Sequence, residues 1–117
     1  MEFDKNQAIY LQISDKICKQ MLVDKLQEQS RLPSVRELAV QLEVNPNTVV
    51  RSYANLEKEK IIYKKRGIGY FVADKAKSLI LEKRREVFIN KTLPKLFEEM
   101  EQLDISMEDI KKWKEKL

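Results

Sequence analysis

The sequence predicts a mainly α-helical fold that carries one small β-hairpin. Three observations lead there. Apolar residues recur at helical spacing over most of the 117 residues. The period becomes strand-like only in two short runs, 61–64 and 70–72. The only two glycines in the chain, Gly67 and Gly69, lie between those runs, where a hairpin needs backbone conformations that other residues adopt at a cost.

Each element has its own local reason. Ile9, Ile13, Ile17 and Met21 fall on one helical face, which predicts a first helix over 7–24. A polar connection, 27–31, follows and ends at Pro33. Ser34 with Glu37 three residues later forms a capping box, so a second, short helix starts there and stops near Glu43. Asn45 is a good N-cap, and Pro46 suits a first helical position, where its missing N–H costs nothing. The third helix then runs to about residue 60, with Val49, Tyr53 and Leu56 on its apolar face. Two short helices separated only by Glu43 and Val44 form a helix-turn-helix pattern, and a hairpin directly after the second of them is a wing.

The remaining segment also reads as helical, with apolar positions at Leu79, Val87, Phe88, Leu93, Leu96, Phe97, Met100 and Leu103. Pro94 is expected to kink or split it, with Thr92 as a new cap. Ser106 and Asp109 mimic a capping box and open a last helix bearing Ile110, Trp113 and Leu117. The fold expected is a winged helix-turn-helix over 1–74 with a short C-terminal helical tail over 75–117.

Composition narrows the chemistry. The net charge is +4, and residues 1–74 hold 12 basic and 10 acidic side chains against 11 and 9 in the tail, so neither part is a basic arm. The basic charge is local instead: Lys58, Lys60, Lys64, Lys65 and Arg66 crowd around Glu59, a patch suited to a phosphate backbone. There is no histidine, which removes the commonest general base and metal ligand. The single cysteine, Cys18, falls in an apolar pattern, so it reads as a small core residue and suits a reducing cytoplasm. No phosphate-cradling glycine loop is present, and Glu98, Glu99 and Glu101 read as a solvated helix face. The sequence therefore points away from an enzyme and toward no cofactor or metal. It has no signal-like start and no apolar stretch near 18 residues, which leads us to expect a cytoplasmic protein without a membrane partner.

Asn47, Thr48, Arg51 and Asn55 fall opposite the apolar face of the third helix, and all four can hydrogen-bond. A recognition helix places such residues at base edges in the major groove, Arg toward guanine and Asn toward adenine. Arg36 lies off the apolar stripe of the second helix, as a phosphate or base-edge contact or as a plain surface charge. Lys64, Lys65 and Arg66 flank the hairpin tip and are placed to reach a minor groove or backbone.

The segment LPSVRELAVQLEVNPNTVVRSYANLEKEKIIYKKRGIGYFV, preceded by IYLQI from Ile9, resembles the DNA-binding domain of GntR-type bacterial regulators. Three motifs carry the likeness, in order and at the family's spacing: LPS-x-REL-A, NPNTV-x-R-x-Y-x-x-L and RG-x-G-x-FV. The resemblance implies DNA contacts at Ser34, Arg36, Asn45, Asn47, Thr48, Arg51, Arg66, Gly67 and Gly69. About 43 residues follow the wing, too few for the large effector-binding domain of many members, and the tail is similar to that of the short YtrA-type subfamily. That implies a homodimer joined through the tail, with Leu93, Leu96, Phe97, Met100 and Leu103 as its apolar contacts, and a repressor often encoded beside transporter genes. The sequence departs from the family in two places: Glu43 stands where the helix–helix turn usually has glycine, and LQEQS replaces a glycine-containing turn before LPS.

The function expected is sequence-specific binding of double-stranded DNA at an inverted repeat. Two alternatives stand beside it. The winged domain could serve as a protein–protein module, and the tail could pack on its own winged domain. No feature marks a small-molecule effector.

Overall fold

The computed structural model describes residues 2–117. Its elements run α1 (Ile9–Leu22), α2 (Val35–Leu42), α3 (Pro46–Lys58), β1 (Ile62–Lys65), β2 (Gly69–Val72), α4 (Ala76–Val87), a π-helical turn (Phe88–Thr92), α5 (Leu93–Gln102) and α6 (Met107–Lys116). They fall into two compact units, Met1–Leu81 and Glu82–Leu117, and the division lies inside α4. Ala76 and Ile80, on the first turns of α4, are buried in the core of the first unit, which therefore extends past the change of pattern near residue 74.

In the first unit, α1, α2 and α3 bring Ile13, Ile17, Met21, Leu38, Leu42, Val49, Tyr53 and Leu56 into one core, which Ile61, Ile62 and Val72 close from the hairpin. Cys18 is buried among them. The capping boxes and caps form where the local sequence places them. The Glu37 amide donates to the Ser34 hydroxyl at 3.1 Å, the Ser34 amide donates to the Glu37 carboxylate at 3.3 Å, and Asn45 caps α3 with Pro46 in its first turn. Glu43, the C-cap of α2, takes a left-handed conformation (φ 55°, ψ 47°). Gln29, in the loop before LPS, does the same at φ 67°. Glu43 stands where the resemblance leads one to expect glycine, Gln29 lies within the LQEQS stretch that replaces a glycine-containing turn, and each L-residue in this conformation carries a steric cost of about 1–2 kcal/mol.

β1 and β2 pair antiparallel, from Ile62↔Val72 to Lys65↔Gly69. The connection 27–31 is more ordered than its polar composition suggests. Gln29 N–H donates to the Val72 carbonyl, Val72 N–H to the Ser30 carbonyl, and Leu32 N–H to the Tyr70 carbonyl, at 2.8, 2.9 and 2.9 Å. An Arg31↔Phe71 bridge results, so the outer edge of β2 is also paired.

In the second unit, Thr92 is not a cap. It is helical (φ −70°, ψ −48°), its side chain makes no capping bond, and helical hydrogen bonding continues through it. The chain meets Pro94 with a wider turn: Leu93 N–H donates to the Phe88 carbonyl, five residues back. Proline has no N–H to offer and its ring crowds the carbonyl four residues earlier, so one π turn relieves the clash without ending the helix. The last helix opens on the Ser106–Asp109 box, with the Asp109 amide donating to the Ser106 hydroxyl at 3.1 Å.

Candidate nucleic-acid interface

The third helix is held rigidly from behind. Val49, Ser52, Tyr53 and Leu56 are fully buried, and the Tyr53 hydroxyl donates to the Pro33 carbonyl at 2.6 Å. Burial, reinforced by the negative charge of Glu37 and by Tyr70, pushes the Tyr53 phenol well above the usual tyrosine range, so it stays a neutral donor. That bond ties α3 to the segment leading into α2, and so fixes the two helices of the motif against each other.

On the opposite side, Asn47 and Arg51 are exposed and Thr48 is half-buried. The Asn45 side-chain oxygen accepts the Asn47 amide at 2.8 Å, so this oxygen serves the helix, and its amide nitrogen is the part of the side chain left to face outward. Ser34 is engaged in the same way by its capping box. Hydrogen bonding with the Ser34 side chain, and then with its backbone, holds the Glu37 carboxyl below its ordinary value of 4.5. Arg36 is exposed one residue into α2. Asn55 does not join this face: its side-chain amide donates to the Ser14 hydroxyl of α1 at 3.4 Å, and it is half-buried. Spacing along α3 alone put it with the exposed polar set. The packing of α1 turns it inward.

The wing is a two-faced basic hairpin. Successive strand residues point to opposite faces. Lys64 lies 5.7 Å from the Tyr70 ring centroid, and Tyr70 packs edge-on against Tyr53 of α3. Lys65 lies 4.5 Å from the Phe71 ring centroid on the other face, where Phe71 stacks on Tyr63. The tip carries Arg66, Gly67 and Ile68, all exposed, with Gly67 at φ 78°. Gly69 has a second reason to be glycine. Its φ is 144°, and a Cβ there would come 3.2 Å from the Arg31 Nε.

Arg31 is the residue that reading the sequence missed. It ends the polar connection 27–31, its backbone pairs with Phe71 and its guanidinium lies across Gly69 at the base of the tip. Its position immediately before LPS was the available signal. Arg31, Arg36, Arg51, Lys64, Lys65 and Arg66 are thus all exposed cations carried by α2, α3, the wing and the strand-like segment that pairs with it. Among the described residues no helix is long and apolar enough to cross a membrane.

A capped short helix, a tight left-handed turn, a capped helix with a polar exposed start and a basic glycine-tipped hairpin define a winged helix-turn-helix of the kind that reads DNA. Comparison with known proteins agrees. Residues 9–72 match the bacterial regulatory proteins of the gntR family. The HTH-type transcriptional regulator YhcF of Bacillus subtilis is 35% identical over 93% of this chain and 88% of its own length. The HTH-type transcriptional repressor YtrA of the same organism is 33% identical over 90% and 80%. The crystal structure of a GntR-family regulator from Bacteroides thetaiotaomicron is 46% identical and superposes with a TM-score of 0.78, covering 93% of this chain and 95% of that one. The chain belongs to the GntR family of transcriptional regulators, and DNA binding is the family's activity.

Proposed function

We propose that this regulator is a cytoplasmic homodimeric repressor that reads an inverted-repeat operator, with residues 1–74 contacting DNA and 75–117 joining the subunits. The carrying observation is the pairing of a rigidly backed α3 with an outward start: Asn47 and Arg51 are exposed with Thr48 half-buried between them, Arg36 is exposed at the start of α2, and the basic wing follows α3 directly. In this reading α3 enters the major groove, with Arg51 on a guanine and Asn47 on an adenine. Ser34, Arg36 and Asn45 fix the helices on phosphates or base edges. Lys65, Arg66 and the backbone at Gly67 and Gly69 lie along the neighbouring backbone or minor groove.

Dimerisation through the tail is supported by Leu96, Phe97 and Leu103, which stay exposed in the single chain, with Leu93 half-buried beside them in sequence. Met100 is already buried in the single chain, so it has little surface left to offer a partner. Two subunits related by a twofold axis demand two half-sites in inverted orientation. Repression is proposed because YtrA carries that description, and transporter genes are the proposed targets on the family resemblance.

The experiment compares Arg51→Ala with Lys65→Ala on a selected duplex and a scrambled one over a salt series. Arg51→Ala is expected to cost about 1–3 kcal/mol on the selected duplex and to relax preference at one base pair. Lys65→Ala is expected to weaken both duplexes alike and to reduce the salt slope by about 1. Unchanged binding in both variants overturns the assignment, and no binding of the wild type to any duplex at low salt favours the protein–protein module.

A further inference from the structure

The polar side chains inside the first unit are gathered at one seam. Ser14 of α1 and Ser52 of α3 are both buried. The Ser52 hydroxyl donates to the Tyr10 carbonyl at 2.8 Å, and the Ser14 hydroxyl lies 3.0 Å from the same carbonyl. Asn55 donates to Ser14 from the next turn of α3. Buried hydroxyls in an apolar core cost stability unless they are bonded, and here the bonds knit α1 to α3, the Ser14 hydroxyl also lying 3.3 Å from the Ser52 carbonyl and the Ser52 hydroxyl 3.2 Å from the Thr48 carbonyl. The seam therefore fixes Tyr10 against the residue that follows Arg51. The Tyr10 ring meets Arg51 directly, with the guanidinium carbon 4.1 Å from the ring centroid. Both residues line a cleft of about 320 Å³ shared with Asn45, Asn47 and Thr48 at the start of α3.

A free arginine side chain samples many rotamers, and holding it in one of them before binding removes part of the entropy that DNA would otherwise have to overcome. Stacking on a ring occupies the face of the guanidinium and leaves its N–H edge open, and that edge is what a guanine reads. Taking Arg51 as a base-reading residue, as above, we propose that Tyr10 is a positioning residue for sequence discrimination: its ring, carried on backbone that Ser52 ties to α3, presents the Arg51 guanidinium edge-first to the base.

The test uses the full chain and a duplex selected by the wild type from a random pool, with a scrambled duplex as reference. Tyr10→Phe keeps the ring and is expected to keep the selected-to-scrambled affinity ratio. Tyr10→Leu keeps bulk without the π face and is expected to lower that ratio about two- to five-fold, the fold-change equivalent of an exposed cation–π contact. In the Arg51→Ala background Tyr10→Leu is expected to change the ratio no further. Equal weakening on both duplexes, or full additivity with Arg51→Ala, overturns the proposal while leaving Arg51 as a reader. A ratio unmoved by Arg51→Ala itself overturns both readings. Circular dichroism melts of each variant report folding separately.

Discussion

The two compact units treat apolar surface in opposite ways. In Met1–Leu81 three helices and a hairpin converge, and with one exception every buried apolar residue of the described chain lies there. The exception is Met100. In Glu82–Leu117 the helices are equally well formed, and α6 opens on a capping box, yet Phe88, Ile89, Leu96, Phe97, Leu103, Met107 and Trp113 remain exposed. The difference teaches that helix formation and core formation are separate achievements. Caps and periodicity suffice for the first. The second needs several apolar faces directed at one another, which the first unit has and the second, in a single chain, lacks. Covering that apolar surface is what the proposed dimer would do.

The contrast is broken or sharpened most strongly by Leu56→Ala. Leu56 is 1% exposed in the first core, and its truncation is expected to cost about 2–5 kcal/mol in urea unfolding followed by circular dichroism. A loss near zero would mean that the first unit is not the well-packed one. Phe97→Asp is expected to do the reverse. It should leave the winged unit's unfolding midpoint at high dilution almost unchanged, while weakening self-association at least tenfold in sedimentation, since burying a phenylalanine contributes about 1.5–3 kcal/mol. An unchanged dimer would remove Phe97 from the interface.

The smallest effect separates the two capping boxes. Ser34 holds the Glu37 carboxyl below 4.5, and hydrogen bonding with the Ser106 backbone, and then its side chain, holds the Asp109 carboxyl below 3.8. A depressed carboxyl contributes stability above its unfolded value and loses it as pH falls through the folded one. Both helix starts should therefore weaken only in acid, below about pH 4.5 for α2 and below about pH 3.8 for α6. In an NMR pH titration Ser34→Ala should raise the Glu37 midpoint alone, and Ser106→Ala the Asp109 midpoint alone. If either change moved both midpoints, the two starts would not be independent.

What was legible in the sequence follows the range of the interactions. The caps at Ser34, Asn45 and Ser106 depend on neighbours three residues away at most, and the structure places all three as read. The hairpin was announced by Gly67 and Gly69, because positive φ is a local demand. Asn55 was misplaced and Arg31 went unmarked because their surroundings come from elsewhere: Ser14 lies 41 residues before Asn55, and Arg31 crosses the far strand of the wing. Thr92 was misjudged for another reason. A cap and a π turn are alternative answers to the same proline, and only the geometry of Phe88–Thr92 chooses between them.

That π turn has a consequence for how such a chain can change in length. Each residue added to or removed from an α-helix turns everything beyond it by about 100° about the helix axis. A turn already widened to five residues is the one place in the helical run where losing a single codon could be absorbed by tightening back toward α geometry. A deletion elsewhere before Leu96 would turn Leu96, Phe97 and Leu103 together about the helix axis, and one between Phe97 and Leu103 would turn them apart. The proline and the bulge before it thus make this stretch a phase adjuster, through which related proteins could redirect the same apolar stripe without altering a single residue within it.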